Sequence, residues 1–182
     1  MGARDDGDLV AAMRAGDEDA FRQVYRAVQP GLLRYLSVLV GVHDAEDVAG
    51  ETWAQAIRDL DLFLGSDDAF RGWLTTIGRN RALDLLRSKG RRPILDVPEE
   101  EIVGRADGRD TEADALALVG TAEALRLIAT LPPDQAEAVL LRAVVGLNAK
   151  AAGQVLGKGA GAVRTAAYRG LRSLEKKLQP EV

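Results

Sequence analysis

The chain of 182 residues has no cysteine and a single histidine, His43. Without cysteine there are no disulfides, no thiolate metal sites and no cysteine nucleophile. A lone histidine at a predicted helix start is more often incidental than catalytic. The sequence also has no glycine-rich phosphate loop, nucleophile elbow or histidine–carboxylate metal spacing. These absences predict a protein that is not an enzyme and that uses no cofactor and no metal.

Long apolar runs and targeting segments are missing as well. No apolar stretch approaches the roughly 20 residues that a membrane span needs, and the acidic N-terminus does not look like a signal peptide. Hydrophobic residues make up 47% of the chain and prolines number only six, which is typical of a folded protein with a core. We therefore expect a soluble, cytoplasmic protein without membrane insertion.

Apolar residues recur at helical spacing along most of the chain, and β-branched runs are few. Pro30 is expected to kink or restart the second helix, Ser66 or Asp67 to cap the fourth, and Asn148 to cap the seventh. Trp73 is expected to fill the core rather than to stack on a base. The pattern predicts an all-α protein, with helices over residues 8–14, 18–40, 44–60, 69–88, 121–130, 134–145, 148–156 and 160–178.

Positive charge is concentrated in two blocks, although the formal net charge is -4. Residues 71–92 carry seven basic residues and one acid, and residues 142–177 carry eight and one. Two basic helical blocks on an acidic chain indicate a protein that binds a polyanion, DNA above all. Between them, residues 93–120 hold eight acids and two arginines, which predicts a flexible acidic linker. The predicted domains are therefore 1–92 and 121–182, joined by 93–120.

The helix over residues 44–60 has a predicted buried stripe that includes Ile57 and Leu60. Asp44, Asp47 and Glu51 fall together on the opposite face. The pattern alone favours a solvated surface, and the alternative is a docking face for a basic partner helix.

A short helix, a glycine turn and a longer basic helix form a predicted helix-turn-helix over residues 148–178. Gly153 inside the first helix is expected to cost about 1 kcal/mol relative to alanine. The buried stripe of the second helix is expected to comprise Val163, Ala167, Leu171, Leu174 and Leu178. The residue types left on the outer face bind base edges and phosphates; they are Arg164, Thr165, Tyr168, Arg169 and Arg172.

Three segments together resemble the extracytoplasmic-function (ECF) sigma factors of the sigma-70 family. DAEDVAGETWAQAIRDL, residues 44–60, resembles region 2.2, and FRGWLTTIGRNRALDLLRSKGRR, residues 70–92, resembles regions 2.3 and 2.4. LPPDQAEAVLLRAVVGL and the following helix-turn-helix, residues 131–174, resemble region 4. The resemblance implies a region 2 helical bundle and a region 4 helix-turn-helix domain.

The family's functional residues can be carried over as expectations. Asp44, Asp47 and Glu51 would dock on the clamp helices of the largest catalytic subunit of core RNA polymerase, and region 4 would bind the flap of the second subunit. The outer face of the last helix, with Arg164, Thr165, Tyr168, Arg169 and Arg172, would read the -35 promoter element. An anti-sigma factor is a further implied partner. The expected contacts with the -10 element are Arg79, Asn80 and Arg81, with Arg87, Lys89, Arg91 and Arg92 on its backbone.

Two other functions are alternatives to an alternative sigma factor. An autonomous helix-turn-helix regulator would give no reason for the basic block at residues 71–92, so that block favours the sigma factor. A helical adaptor without DNA binding is made conceivable by Gly153, Gly159 and Gly161, but Arg164 and Arg169 argue against it.

Overall fold

The computed structural model describes residues 9–91 and 112–179. Within these ranges every regular element is helical, so the all-α prediction is confirmed. A 3₁₀ turn, Leu60–Leu62, follows α3, and a π-helical turn, Leu140–Val144, directly continues α6. The α-helices are α1 Leu9–Arg14, α2 Glu18–Val40, α3 Val42–Arg58, α4 Asp67–Ser88, α5 Glu112–Ala129, α6 Pro133–Val139, α7 Ala149–Leu156 and α8 Ala160–Leu178.

The long helix α2 runs through Pro30 without ending, so the predicted restart is wrong. Proline removes one backbone hydrogen bond, but Val28 and Leu32 on either side are buried in the core. Packing of such an apolar face contributes most of a helix's stability in a folded protein. Asp17 starts α2 by accepting hydrogen bonds from the backbone N–H groups of Asp19 and Ala20.

An aromatic cluster holds α3 and α4 together. The Trp53 and Phe70 ring centroids lie 6.2 Å apart, and the Phe63 and Trp73 centroids 4.9 Å apart. Trp73 is therefore part of the core, as the sequence predicted. The predicted buried stripe of α3 is correct except for Ile57, which is 52% exposed although its neighbour Ala56 is buried.

The N-terminus of α1 is capped from a distant part of the chain. Asp67 accepts hydrogen bonds from the backbone N–H groups of Leu9 and Val10, at 3.1 and 3.0 Å. Ser66 occupies the N-cap position of α4 but makes no side-chain bond there. The predicted capping of α4 by Ser66 or Asp67 is thus wrong, because the Asp67 carboxylate serves α1.

The helix α5 begins nine residues earlier than the sequence predicted, at Glu112 instead of Thr121. The alanine- and leucine-rich sequence of residues 113–118 has high helix propensity, which outweighs the acidic character that suggested a linker. The last part of the predicted linker is therefore helical. Its residues 93–111 lie outside the described ranges.

The N-terminal half (α1–α4) packs directly against the C-terminal half (α5–α8). Helix α4 lies against α7, and α2 lies against the π-helical turn. Buried residues of both halves belong to one continuous hydrophobic cluster. This packing determines which predicted functional side chains are accessible.

Candidate nucleic-acid interface

The C-terminal half contains the helix-turn-helix that the sequence predicted. The Asn148 side chain caps α7 by accepting from the Ala151 N–H at 2.8 Å. Gly157 ends α7 in the left-handed conformation, with φ 65°, which glycine adopts without steric cost. The chain then passes Lys158 and Gly159 into α8.

Gly153 is required by this turn, which corrects the expectation that it merely weakens α7. The Lys158 N–H donates to the Gly153 carbonyl at 2.8 Å. A Cβ at position 153 would lie 2.5 Å from the Lys158 carbonyl oxygen. Only glycine therefore allows α7 and the start of α8 to come this close.

The buried face of α8 differs from the predicted stripe. Val163, Ala167 and Gly170 are buried, whereas Leu171 and Leu178 are 51% and 66% exposed. The prediction of buried Leu171 and Leu178 is wrong because a 3.6-residue repeat from Val163 and Ala167 leads to position 170. Sequence reasoning missed Gly170 since a glycine carries no apolar signal. A Cβ there would lie 2.8 Å from Val139 Cγ2, so the glycine lets α8 approach α6.

The five residues predicted for the outer face of α8 are all exposed. Arg172 forms a local ion pair with Glu175 at 3.0 Å. Such an exposed pair contributes about 0–1 kcal/mol and does not prevent binding elsewhere. The face therefore presents three guanidinium groups, a hydroxyl and a phenol, contributed by Arg164, Thr165, Tyr168, Arg169 and Arg172.

The predicted DNA-binding face of α4 lies beside the acidic face of α3. Lys89 Nζ is 2.7 Å from Asp44, and Arg81 is 2.9 Å from Glu51. Asp47 is exposed and forms no ion pair with any residue of the described ranges. The residues predicted to dock on polymerase and those predicted to contact the -10 element therefore lie next to each other, on α3 and along α4.

Asn80 and Arg87 of α4 are exposed, and so is Arg91, which follows the end of the helix. Within the described ranges Arg87 is paired with Asp84, one helical turn away, at 2.8 Å. Arg92 lies outside the described residues.

Arg79 is placed differently from its neighbours. Its Nε and Nη2 donate to the two Glu137 carboxylate oxygens at 2.9 and 3.1 Å, and the Tyr35 hydroxyl donates to the same carboxylate at 3.0 Å. The Arg79 and Glu137 side chains are only 21% and 17% exposed. The hydrogen bond with Glu137 raises the pKa of Arg79, and burial, then Glu137, raises the pKa of Tyr35. In this conformation Arg79 is not available to DNA.

Comparisons with known proteins match both halves. The model of Sigma-70 region 2 matches residues 24–92, and that of Sigma-70, region 4, matches residues 121–174. The chain is 35% identical to the ECF RNA polymerase sigma factor ShbA of Streptomyces griseus subsp. griseus over 176 residues, which are 92% of each chain. The chain belongs to the ECF sigma factors.

A second relative and a solved structure agree with this assignment. The ECF RNA polymerase sigma factor BldN of Streptomyces coelicolor is 34% identical over 173 residues, which cover 94% of this chain and 65% of BldN. CnrH, solved in complex with the cytosolic domain of CnrY, has a TM-score of 0.64 and 27% identity, and the match covers 97% of this chain and 99% of CnrH.

As an ECF sigma factor, the protein is an alternative sigma factor that directs transcription initiation. Sigma factors are initiation factors rather than enzymes. The matches give no support to the autonomous regulator. None of the helices in the described ranges has the length and apolar character needed to cross a membrane.

Sequence reasoning missed the residues that join the two halves of this ECF sigma factor. Tyr35 and Glu137 are 102 positions apart, and nothing in either local pattern marks them as partners. Gly31 and Gly72, which lie inside α2 and α4, were the available signal, because a glycine in a helix often marks a close approach.

Proposed function

We propose that this sigma factor binds core RNA polymerase through the acidic face of α3 and reads promoter DNA with α4 and α8. The observation that carries the proposal is the exposed outer face of α8, set in a helix-turn-helix, with all five residues of DNA-binding type directed away from the core. A recognition helix of this kind enters the major groove of DNA.

For the -35 element we assign separate roles along α8. Arg164 and Arg169 can each donate two hydrogen bonds to guanine, and each such contact discriminates by about 1–3 kcal/mol. Thr165 can reach a base edge or a thymine methyl group, and Tyr168 can donate to a phosphate oxygen. We assign Arg172 to the phosphate backbone, where a phosphate would replace Glu175 as the partner of its guanidinium.

For the -10 element we assign Asn80 and Arg81 to the bases and the following basic residues to phosphates. The Asn80 amide is exposed and can form a bidentate contact with adenine. The phosphate contacts would be Arg87, Lys89, Arg91 and Arg92. Arg79 also lies on α4 and would join these contacts once Glu137 has released it.

For docking on polymerase we assign Asp44, Asp47 and Glu51. Asp47 is exposed and has no ion-pair partner in the described ranges, and the other two are held in pairs whose partners are Lys89 and Arg81. Because these pairs are partly exposed, their exchange for basic groups of a polymerase helix costs little.

The remaining assignments follow from the sigma-factor function. The protein would act in the cytoplasm, with 1–92 as the docking and -10 domain and 121–182 as the -35 and flap-binding domain. CnrH was solved with the cytosolic domain of CnrY bound, which supports an anti-sigma partner for this chain as well.

The test is run-off transcription from a library of host genomic fragments, using purified core polymerase with and without the protein. We expect new transcripts that share two upstream elements. No new transcripts, together with binding of the protein to duplex DNA without polymerase, would contradict the proposal and favour an autonomous regulator.

Variants then test the residue assignments on a promoter identified in this way. Arg169→Ala is expected to reduce -35-dependent transcription while core binding is kept, and Lys176→Ala, an exposed charge at the other end of α8, is the matched control. Asp47→Lys is expected to weaken core binding, with Glu46→Lys as its control on an adjacent exposed position of α3. Equal effects of a variant and its control would refute that assignment.

A further inference from the structure

The loop between α3 and α4 carries two exposed leucines on either side of a buried phenylalanine. Leu62 is 77% exposed and Leu64 is 94% exposed, whereas Phe63 is only 7% exposed. The Phe63 ring packs in the core, with its centroid 4.9 Å from that of Trp73. A Cβ on Gly65 would lie 2.5 Å from Phe63 Cζ, so the chain passes close to the anchored ring. The loop therefore combines a fixed backbone with exposed apolar side chains.

Arg14 of α1 fixes the same loop through its guanidinium group. Its Nε donates to the Leu60 carbonyl oxygen at 3.2 Å, and its Nη2 donates to the Phe63 carbonyl oxygen. The guanidinium carbon lies 5.9 Å from the centroid of the Phe63 ring, within the range of a cation–π contact. The planar guanidinium presents its donors in a rigid fork. Because the two carbonyl groups lie at the ends of the 3₁₀ turn, Arg14 fixes the segment that bears Leu62.

The other end of the loop is joined to α1 as well. Asp67, the first residue of α4, accepts hydrogen bonds from the backbone N–H groups of Leu9 and Val10. A helix of six residues is too short to be stable alone, so α1 depends on such contacts. We call these two connections, Arg14 to the loop and Asp67 to α1, the loop brace. Through the loop brace, α1 bridges the end of α3 and the start of α4.

The position of the loop indicates which partner contacts its leucines. The loop leads directly into α4, which we assign to the -10 element. Asp61 and Asp68, exposed acids on either side of the leucines in the sequence, would repel phosphates. Base faces carry no such charge, and leucine is one of the side chains that proteins insert between base steps to unstack them. We therefore expect the leucines to contact bases rather than the phosphate backbone.

We propose that Arg14 is a positioning residue for promoter opening, which fixes the loop of residues 60–66 so that Leu62 and Leu64 can insert at unstacked bases of the -10 element. The inference rests on the proposed function, because it assumes that α4 contacts that element. Arg14 acts through the loop, since its Nε and Nη2 are used by loop carbonyl groups. A loop that is already ordered loses less conformational freedom when it binds. The loop brace therefore favours opening without adding a contact to DNA.

The test measures promoter opening by holoenzyme that contains the full chain. The promoter is one found by run-off transcription, with a fluorescent adenine analogue in its -10 element. Arg14→Met removes the guanidinium and keeps an apolar stem, and Arg14→Lys keeps the charge without the rigid fork. The matched control is Arg22→Met, because Arg22 of α2 is exposed and, within the described ranges, forms ion pairs with Glu18 and Asp19 of its own helix.

We expect Arg14→Met to slow opening by about 10-fold, the effect of one lost hydrogen bond to a charged group, while the affinity for core polymerase stays unchanged. Arg14→Lys should restore part of the rate, and Arg22→Met should match the parent. On a promoter whose -10 element is kept open by non-complementary strands, the defect should disappear, because no base step remains to be unstacked. A defect of equal size on both templates, or on neither, would overturn the proposal.

A double-mutant cycle tests whether Arg14 acts through the leucines. Leu64→Ala should also slow opening of the duplex promoter, and its effect should be smaller when Arg14→Met is present, because a misplaced loop cannot use the leucine. Additive effects would show that Arg14 acts by another route, and the proposal would be wrong. If Leu64→Ala weakens core binding and leaves opening unchanged, the leucines contact protein instead of bases, and the proposal is again overturned.

Urea unfolding identifies a variant that has lost its fold. If Arg14→Met does not fold, Asp67→Asn decides the outcome, because it weakens the other connection of the loop brace and should give the same defect on duplex and the same rescue on the open template. If the parent protein yields no transcripts, the proposed function itself fails. If the parent transcribes and the variants of the loop brace open the promoter at its rate, the sigma function stands and only the role of Arg14 is refuted.

Discussion

Replacement of Gly153 by alanine is expected to destabilise the helix-turn-helix, although alanine is the better helix former. The new Cβ would lie 2.5 Å from the Lys158 carbonyl oxygen and 3.5 Å from the Ala160 nitrogen. Both opposing atoms belong to the backbone of the turn. Because Gly157 fixes this turn in a left-handed conformation, relief requires movement of the start of α8.

The magnitude follows from two opposing effects. Alanine gains about 1 kcal/mol of helix propensity over glycine. Overpacking typically costs about 1–3 kcal/mol, and a contact with rigid backbone belongs at the upper end of that range. We expect a net loss of about 1–2 kcal/mol in the stability of region 4, the C-terminal half of the molecule.

Gly50→Ala is the matched control, and it is expected to raise stability instead of lowering it. Gly50 is also inside a helix, α3, but a Cβ there would meet nothing within 4 Å. This substitution should stabilise region 2, the N-terminal half, by about 0.5–1 kcal/mol.

Urea unfolding can follow the two regions with different signals. Trp53 and Trp73 both lie in region 2, so tryptophan fluorescence follows that region, whereas far-ultraviolet circular dichroism follows the helices of both. Gly153→Ala should lower the midpoint of the dichroism transition more than that of the fluorescence transition. If Gly153→Ala stabilises the protein as Gly50→Ala does, the close approach across the turn is not a constraint and the reasoning is wrong.

Three further outcomes are expected. Gly170→Ala should lower the stability of region 4 by about 1–3 kcal/mol, because its Cβ would lie 2.8 Å from Val139 Cγ2; urea unfolding with Gly161→Ala as control checks this. Arg172→Ala should reduce the slope of log affinity against log salt for promoter binding by the holoenzyme by about one, whereas an unchanged slope would exclude a phosphate contact at that residue. Burial, and then the Glu137 carboxylate, raises the pKa of Tyr35 well above its ordinary value near 10. The raised pKa favours the neutral phenol in the packed state. The stabilisation of that state by neutral Tyr35 is therefore complete below pH about 10 and is lost as the pH rises through the raised pKa. Energy transfer between labels at Arg34→Cys and Lys176→Cys, exposed positions in the two halves of this cysteine-free chain, should therefore fall at high pH and show a smaller change when Tyr35→Phe is added.

The sequence was sufficient for features that local chemistry determines. Asn148 predicted a helix cap, Gly157 a helix end, and the spacing around Trp73 a core position, and the structure confirms all three. Each of these features depends on neighbours within a few positions, where periodicity and capping preferences act.

The features that the sequence did not reveal depend on contacts between distant segments. Asp67 looked like a cap for its own helix, but its carboxylate caps α1. Gly153 was expected to weaken its helix and Gly170 was missed, and the structure shows that close contacts require both. In each case the residue type was informative, but its partner is determined by tertiary packing.

Arg79 shows why a binding residue and a structural residue can carry the same sequence signal. An arginine in a basic block predicts contact with an anion, and the anion can be a DNA phosphate or a carboxylate of the same chain. In the packed state the carboxylate of Glu137 fills that role, at 2.9 and 3.1 Å. Since one guanidinium cannot serve both anions in the same geometry, the sequence signal for an anionic partner does not say whether that partner lies in the same chain.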